Sequence, residues 1–149
     1  MNNKETIEDF ISQRSLAVVG VSRGGKGFGN MAMRELKARG YTLYPIHPSA
    51  ETLEGEACYP NLGALPEKVG GVLVVVPPAQ TEQVVQDAHV AGITRVWMQQ
   101  GAESDAAIRY CEQNGMQAVH GKCIMMFANP QSFHKFHHWV NTLFGKLYN

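Results

Sequence analysis

The sequence predicts an α/β protein with a Rossmann-like, doubly wound and mostly parallel five-stranded sheet that carries helices on both faces. Two observations lead to this prediction. Short runs rich in Val, Ile and Leu alternate with amphipathic stretches, as expected for parallel strands buried under helices. No two predicted strands are joined by a two-residue hairpin turn, and most connections are long enough for right-handed crossovers.

The strands are predicted from their apolar character and from the glycines and prolines around them. They cover residues 16–21, 41–46, 72–76, 95–98 and 116–119. Residues 55–66 are predicted to form a loop or a short turn.

The helices are predicted from apolar residues at helical spacing and from their end signals. They cover residues 6–13, 27–39, 81–91, 104–113 and 132–147. Gly40 and Gly92 follow two of them as C-terminal caps, and Ser104 is the expected N-cap of the fourth.

Length and composition indicate a single domain spanning residues 1–149. The chain is 44% hydrophobic, and its 13 basic residues balance 13 acidic ones, so no bulk field favours nucleic acid or an anionic membrane. The N-terminal residues do not read as a secretory signal, and no apolar run approaches a membrane span of about 18 residues. We therefore expect a cytoplasmic protein that uses neither nucleic acid nor a membrane as its partner.

The glycine-rich stretch VVGVSRGGKGFGN at residues 18–30 is close to three functional motifs. As a P-loop it lacks the hydroxyl residue after Lys26 and an acid after the third strand. As a nucleophile elbow centred on Ser22 it lacks an earlier strand that would supply an oxyanion donor. As a dinucleotide loop it has Asn30 where the third glycine belongs, and no acid ends the second strand.

The loop nevertheless has the properties of a phosphate site. Glycines allow the backbone to approach phosphate oxygens, and the positive end of the following helix favours them. Arg23 and Lys26 add positive charge, and a guanidinium suits bidentate phosphate contacts. These features predict a multiply phosphorylated nucleotide at the carboxyl ends of the strands.

Six consecutive motifs resemble a known family. They are GVSRGGKGFGN, GYTLYPIHP, GEACYPNLGALP, VLVVVPP, RVWMQQGAESDAA and GKCIMM. Together they resemble the small stand-alone coenzyme A-binding proteins, which are similar to the CoA-binding domain of the succinyl-CoA synthetase alpha subunit. The resemblance covers residues from about 15 to about 126, and it implies that the chain binds coenzyme A or an acyl-CoA.

The resemblance also implies which residues form the binding site. Around the phosphates it implies Gly20, Ser22, Lys26, Gly27, Phe28, Gly29 and Asn30. The adenosine side would be lined by Pro45, His47 and Pro48. The opposite wall would be Val76, Pro77 and Pro78, with Gln99 and Gly101 in the next loop.

Two positions depart from the family pattern. His47 stands where relatives often have Asn, which changes the reach of the hydrogen-bonding group and adds a titratable charge. The stretch His120-Gly121-Lys122-Cys123 lacks the acid that often precedes a basic residue and cysteine there. The phosphorylated-histidine domain and grasp subunit of the synthetase have no counterpart in this sequence, which favours a non-catalytic binding or regulatory module.

Other interpretations remain open from the sequence. An NAD(P)-linked oxidoreductase or another nucleotide-binding protein is the alternative function, and a protein partner or a homo-oligomer stays open. His134 and His138 have the spacing of two metal ligands, but no third ligand is evident, so we expect no metal site. The three cysteines include no CxxC pair and indicate reduced thiols, although Cys58 or Cys123 could exchange with CoA disulfide.

Overall fold

The computed structural model describes residues 3–128 and contains seven strands. In chain order they are β1 (Ser15–Val19), β2 (Thr42–Ile46), β3 (Thr52–Leu53), β4 (Glu56–Ala57), β5 (Gly71–Val74), β6 (Arg95–Gln99) and β7 (Gln117–Lys122). Five of them form one parallel sheet in the order β2-β1-β5-β6-β7. The parallel five-stranded sheet predicted from the sequence is confirmed.

Four α-helices lie within the described residues. They are α1 (Lys4–Ile11), α2 (Phe28–Ala38), α3 (Pro78–Val90) and α4 (Asp105–Gln113). Two short 3-10 turns, Leu62–Ala64 and Ile124–Met126, complete the fold. No helix in this part of the chain is both long and apolar enough to cross a membrane.

The helices cover both faces because strand residues alternate between two apolar clusters. Trp97 belongs to the cluster that includes α1 and α2, whereas its neighbours Val96 and Met98 belong to the cluster with α3 and α4. The indole of Trp97 is fully buried and packs against Phe10 and Phe127, with ring centroids 5.4 and 5.8 Å away. Side chains that alternate along one strand thus pack against helices on both faces of the sheet.

The strand order locates the point where the chain changes direction. After β1 the chain adds β2 on one side, crosses back over β1 to form β5, and then continues outward through β6 and β7. In an open parallel sheet, a crevice forms outside the carboxyl ends of the strands at this switch point. The edge between β1 and β5 is therefore where a ligand site is expected.

The prediction that no strands are joined by a two-residue turn was wrong. Strands β3 and β4 form an antiparallel hairpin whose turn is Glu54-Gly55, with φ of 52° and 80°. Positive φ at both turn residues matches the right-handed twist of a hairpin. Each strand has only two residues, too few to show an alternating pattern, and β4 lies in a segment that was predicted as loop.

Element ends differ from the prediction for local reasons. Strand β1 stops at Val19 because Gly20 has φ of 121° and turns the chain. Helix α3 starts at Pro78 instead of residue 81, since proline fits the first helical position. The predicted N-cap role of Ser104 is confirmed, because its side chain accepts from the Ala107 amide. The helix predicted at 132–147, with its histidines, lies outside the described residues.

Candidate functional site at the switch point

The glycine-rich loop, defined here as residues 20–27, joins β1 to α2 by close backbone packing. A β-carbon at Gly20 would overlap the carbonyl oxygen of Val75, just beyond β5. A β-carbon at Gly29 would in turn overlap the carbonyl oxygen of Gly20. Gly29 therefore supplies the close helix-to-strand packing for which the sequence motif suggested position 30.

Asn30 connects the start of α2 to the glycine-rich loop. Its side-chain Nδ2 donates to the carbonyl oxygen of Ser22 at 2.8 Å, and its Oδ1 accepts from the Ser22 amide at 3.0 Å. The Ser22 hydroxyl lies 2.9 Å from the carbonyl oxygen of Lys26 and 3.1 Å from Asn30 Oδ1. Both side chains implied as phosphate contacts thus also hold the shape of the loop.

The two cations of the loop are exposed but differ in their contacts. Arg23 Nη2 donates to the Ser49 hydroxyl at 2.8 Å, which links the loop to the segment after β2. Within residues 3–128 Lys26 has no ion-pair partner, whereas Arg34, Lys37 and Arg95 each pair with a carboxylate. The Lys26 ammonium is therefore available to an anionic ligand.

His47 stabilises the turn that follows β2. Its Nδ1 accepts hydrogen bonds from the backbone amides of Ser49 at 3.1 Å and Ala50 at 3.0 Å. An asparagine Oδ1 has the same number of bonds to the main chain as this Nδ1, so it can accept from the same amides. His47 therefore keeps a hydrogen-bonding group that holds the backbone of this turn, while its effect on ligand binding stays a prediction.

Backbone pairing continues beyond β2 on both sides of His47. The His47 amide donates to the carbonyl oxygen of Tyr59 at 2.9 Å, and the Tyr59 amide donates to that of Pro45 at 3.1 Å. Pro45 is buried, whereas Pro48 is exposed. The segment after the β3–β4 hairpin therefore fixes the end of β2 at the edge of the site.

The opposite side of the switch point is formed by the end of β5 and the start of α3. Val76 is half-buried, and Pro77 and Pro78 are exposed, with Pro77 as the N-cap and Pro78 as the first helical residue. Neither Gly27 at α2 nor Pro77 at α3 provides a side-chain cap, whereas Asn3 and Ser104 cap α1 and α4. The two helices that flank the switch point thus leave first-turn amides for other acceptors.

Gln99 and Gly101 have different surroundings. The Gln99 side chain is 5% exposed, and its Oε1 accepts from the Ile124 amide at 3.1 Å. The Gly101 amide donates to the Glu103 carboxylate at 2.8 Å. Protein groups therefore already engage both residues.

The cysteines have different environments. Burial raises the pKa of the Cys58 thiol, and burial together with Glu112 raises that of Cys111 to about 11. Both thiols are then protonated at neutral pH, which slows exchange with a disulfide. Cys123 is half-buried. In the part of the chain that the structure describes, no three His, Cys, Asp or Glu residues form a metal-binding group.

Sequence reasoning missed one residue of this site. Glu54, in the hairpin turn, accepts from Asn30 Nδ2 at 3.0 Å and from Arg34 Nη1 at 3.1 Å. These hydrogen bonds lower the pKa of its carboxyl group, with the Asn30 bond as the larger cause. The only sequence signal was the pair Glu54-Gly55, which marks a two-residue turn when short strands flank it.

This fold, with its glycine-rich edge, defines a Rossmann-like α/β domain. Residues 14–129 match the family described as the CoA binding domain, and the chain therefore belongs to that family. The resemblance indicated by the six sequence motifs is confirmed. Membership implies a small-molecule ligand.

The curated relatives are larger enzymes. The chain is 30% identical over 91 residues to the ADP-forming acetate–CoA ligase II of Archaeoglobus fulgidus, covering 58% of this chain and 13% of that protein. It is 26% identical over 91 residues to the alpha subunit of the ADP-forming acetate–CoA ligase II of Pyrococcus furiosus, covering 60% of this chain and 20% of the subunit. The chain thus spans at most a fifth of these relatives.

Solved structures include proteins of similar size. A conserved hypothetical protein from Pyrococcus furiosus is 35% identical, with a TM-score of 0.72, covering 76% of this chain and 97% of its own. A hypothetical protein from Pyrococcus horikoshii OT3 is 29% identical with a TM-score of 0.77, and the match covers 82% of this chain and 87% of that chain. The dinucleotide forming acetyl-coenzyme A synthetase 1 of Ca. Korarchaeum cryptofilum, in complex with phosphate and ADP, is 29% identical with a TM-score of 0.63. The match covers 70% of this chain and 25% of that chain.

Proposed function

We propose that this chain binds coenzyme A or an acyl-CoA at the switch point and acts as a binding or regulatory module without catalysis of its own. The observation that carries this proposal is the exposed glycine-rich loop at the N-terminus of α2, in a chain that belongs to the CoA binding domain family. The loop offers first-turn amides and the Lys26 ammonium to phosphate oxygens.

The adenosine would lie between the ends of β2 and β5. Exposed Pro48 and half-buried His47 offer one side, and Val76, Pro77 and Pro78 offer the other. The proline rings present apolar surface on segments with restricted backbones, so little conformational freedom is lost when a planar base packs there. Gln99 contributes less, because its side chain already pairs with Ile124.

The absence of catalysis is proposed from the chemistry of the polar groups around the loop. A general acid or base must reach the reacting atoms. Ser22 and Asn30 are held by one another, Glu54 is held by Asn30 and Arg34, and the Cys58 thiol has a raised pKa. Ser22, Asn30 and Glu54 thus hold the shape of the loop through their hydrogen bonds, and the raised pKa of the Cys58 thiol makes it a poor nucleophile near neutral pH.

Titration calorimetry with coenzyme A, dephospho-CoA, NAD and NADP tests the proposal. We expect binding of coenzyme A, weaker binding without the 3′-phosphate, and no comparable binding of NAD or NADP. Lys26→Ala should weaken the binding by about 1 to 3 kcal/mol, the scale of a lost charge-assisted hydrogen bond.

Lys68→Ala is the matched control, since Lys68 is also exposed but precedes β5 at the opposite edge of the sheet. The Lys68→Ala variant should bind coenzyme A with the affinity of the unmodified protein. Binding of NAD or NADP alone would replace the proposal with a dinucleotide function. Equal losses in both variants would remove the glycine-rich loop from the site.

A further inference from the structure

Asn30 uses its whole amide group inside the protein. Its side chain is 1% exposed. Nδ2 donates one hydrogen to the Ser22 carbonyl oxygen at 2.8 Å and the other to Glu54 Oε2 at 3.0 Å. Oδ1 accepts from the Ser22 amide at 3.0 Å. One buried side chain thus holds both backbone groups of Ser22, eight residues earlier in the chain.

Glu54 reinforces the orientation of this amide that the backbone of Ser22 also requires. An ionised carboxylate can only accept hydrogen bonds, so the donor Nδ2 must face Glu54. If the amide of Asn30 were reversed, its oxygen would face the carboxylate and its nitrogen would face the Ser22 amide, which is also a donor. The hydrogen bonds to the Ser22 amide, the Ser22 carbonyl oxygen and Glu54 would all be lost, and with them the side-chain link from Asn30 on α2 to the loop.

Glu54 is itself held in place. Arg34 Nη1 lies 3.1 Å from the same Oε2, and the Glu54 side chain is only 15% exposed. Its backbone has φ of 52°, in the left-handed region that side chains other than glycine rarely adopt.

We propose that Glu54 is a positioning residue for the ligand loop: its carboxylate orients Asn30, which holds Ser22 and thereby preorganises the glycine-rich loop for phosphate. The inference rests on the proposed function for its ligand. In this role Glu54 acts on the loop through Asn30 and Ser22. A preordered loop binds more tightly because less conformational freedom is lost when the ligand arrives.

The same hairpin supplies a matched control. Glu56 forms an ion pair with Lys37 on α2, so it also attaches the hairpin to that helix, but it does not contact Asn30. If Glu54 merely attached the hairpin to α2, loss of either carboxylate would have similar effects. If Glu54 positions the loop, only its loss alters residues 20–30.

Hydrogen exchange of the ligand-free protein, followed by mass spectrometry, is the first readout. Glu54→Ala should accelerate amide exchange in peptides covering residues 20–30, with a smaller effect from Glu54→Gln, which keeps one acceptor oxygen. Glu56→Ala should leave exchange in those peptides unchanged. Exchange across β5 and β6 reports whether each variant remains folded.

Coenzyme A titration is the second readout. Glu54→Ala should lower the affinity about tenfold, the scale of one lost hydrogen bond to a charged group, while Glu56→Ala stays within about twofold. Unchanged loop exchange in Glu54→Ala, or an equal change in Glu56→Ala, would overturn the proposal. If the unmodified protein binds no coenzyme A, the proposed function fails, and the exchange comparison still decides the role of Glu54.

Discussion

Gly29, in the first turn of α2, lies against the carbonyl oxygen of Gly20 at the end of β1, so closely that a β-carbon at position 29 would overlap that oxygen. This contact sets the distance between the strand and the helix that follows it. The glycine-rich loop, residues 20–27, runs from this end of the strand to the start of α2. Its shape therefore depends on the absence of a side chain at position 29.

Gly29→Ala should destabilise the protein and weaken coenzyme A binding, because the helix must shift away from β1. Overpacking of this kind costs about 1 to 3 kcal/mol, and each kcal/mol lowers the melting temperature by about 2 to 4 °C in a protein of this size. Thermal unfolding measures the loss. Gly24→Ala is the control, since the nearest atom to its β-carbon is Ser22 Oγ at 4.0 Å. Equal stability of the two variants would contradict the contact.

His47→Asn should retain the stability of the protein, whereas His47→Leu should lose about 1 kcal/mol. Asparagine can accept from the amides of Ser49 and Ala50 as His47 Nδ1 does, and leucine cannot. Chemical denaturation of the two variants measures the difference. A stability of His47→Asn as low as that of His47→Leu would show that the imidazole ring has a role beyond these two hydrogen bonds.

Gln99→Leu should lower stability with little effect on coenzyme A affinity. The substitution removes the acceptor of the buried Ile124 amide, which costs about 1 to 3 kcal/mol when no other partner is found. Denaturation and calorimetry measure the two effects separately. Lost affinity at unchanged stability would instead assign Gln99 to the ligand surface, as the family resemblance implied.

Protonation of the Glu54 carboxylate should make the protein less stable in acid. Its pKa in the folded state is lowered from 4.5 by Asn30 first and Arg34 second. The contribution of the ionised carboxylate to the free energy of unfolding is therefore complete above the ordinary pKa. It is lost as the pH falls through the lowered pKa of the folded state. The free-energy difference between the unmodified protein and Glu54→Gln should be full at neutral pH and shrink as the pH falls below the ordinary carboxyl pKa of 4.5. A difference that stays constant as the pH falls would show that ionisation of Glu54 is irrelevant.

Much of the fold could be predicted because the signals are local. The runs of apolar residues at β1, β5 and β6 are buried on both sides, and such strands stand out from the amphipathic helices between them. Ser104 was recognised as an N-cap because its bond to Ala107 spans only three residues. The β3–β4 hairpin was missed, since strands of two residues provide no periodicity.

The candidate site was predicted less completely. The sequence indicated the glycine-rich loop and the carboxyl ends of the strands, because glycines and strand order are visible in the chain. It did not indicate that Gly29 takes the packing role expected at position 30. Nor did it relate Glu54 to Asn30, which is 24 residues away.

The sequence by itself determined the class of fold and the family to which the chain belongs, and it indicated the edge of the sheet where we propose that a ligand binds. These depend on apolar periodicity, on glycine and proline positions and on short consecutive motifs, all of which act over a few residues. Only the tertiary structure decided that His47 accepts from two amides, that Gln99 faces inward and that Glu54 accepts from Asn30. Those contacts depend on how distant segments pack, and hydrogen bonds form only where packing brings a donor to an acceptor.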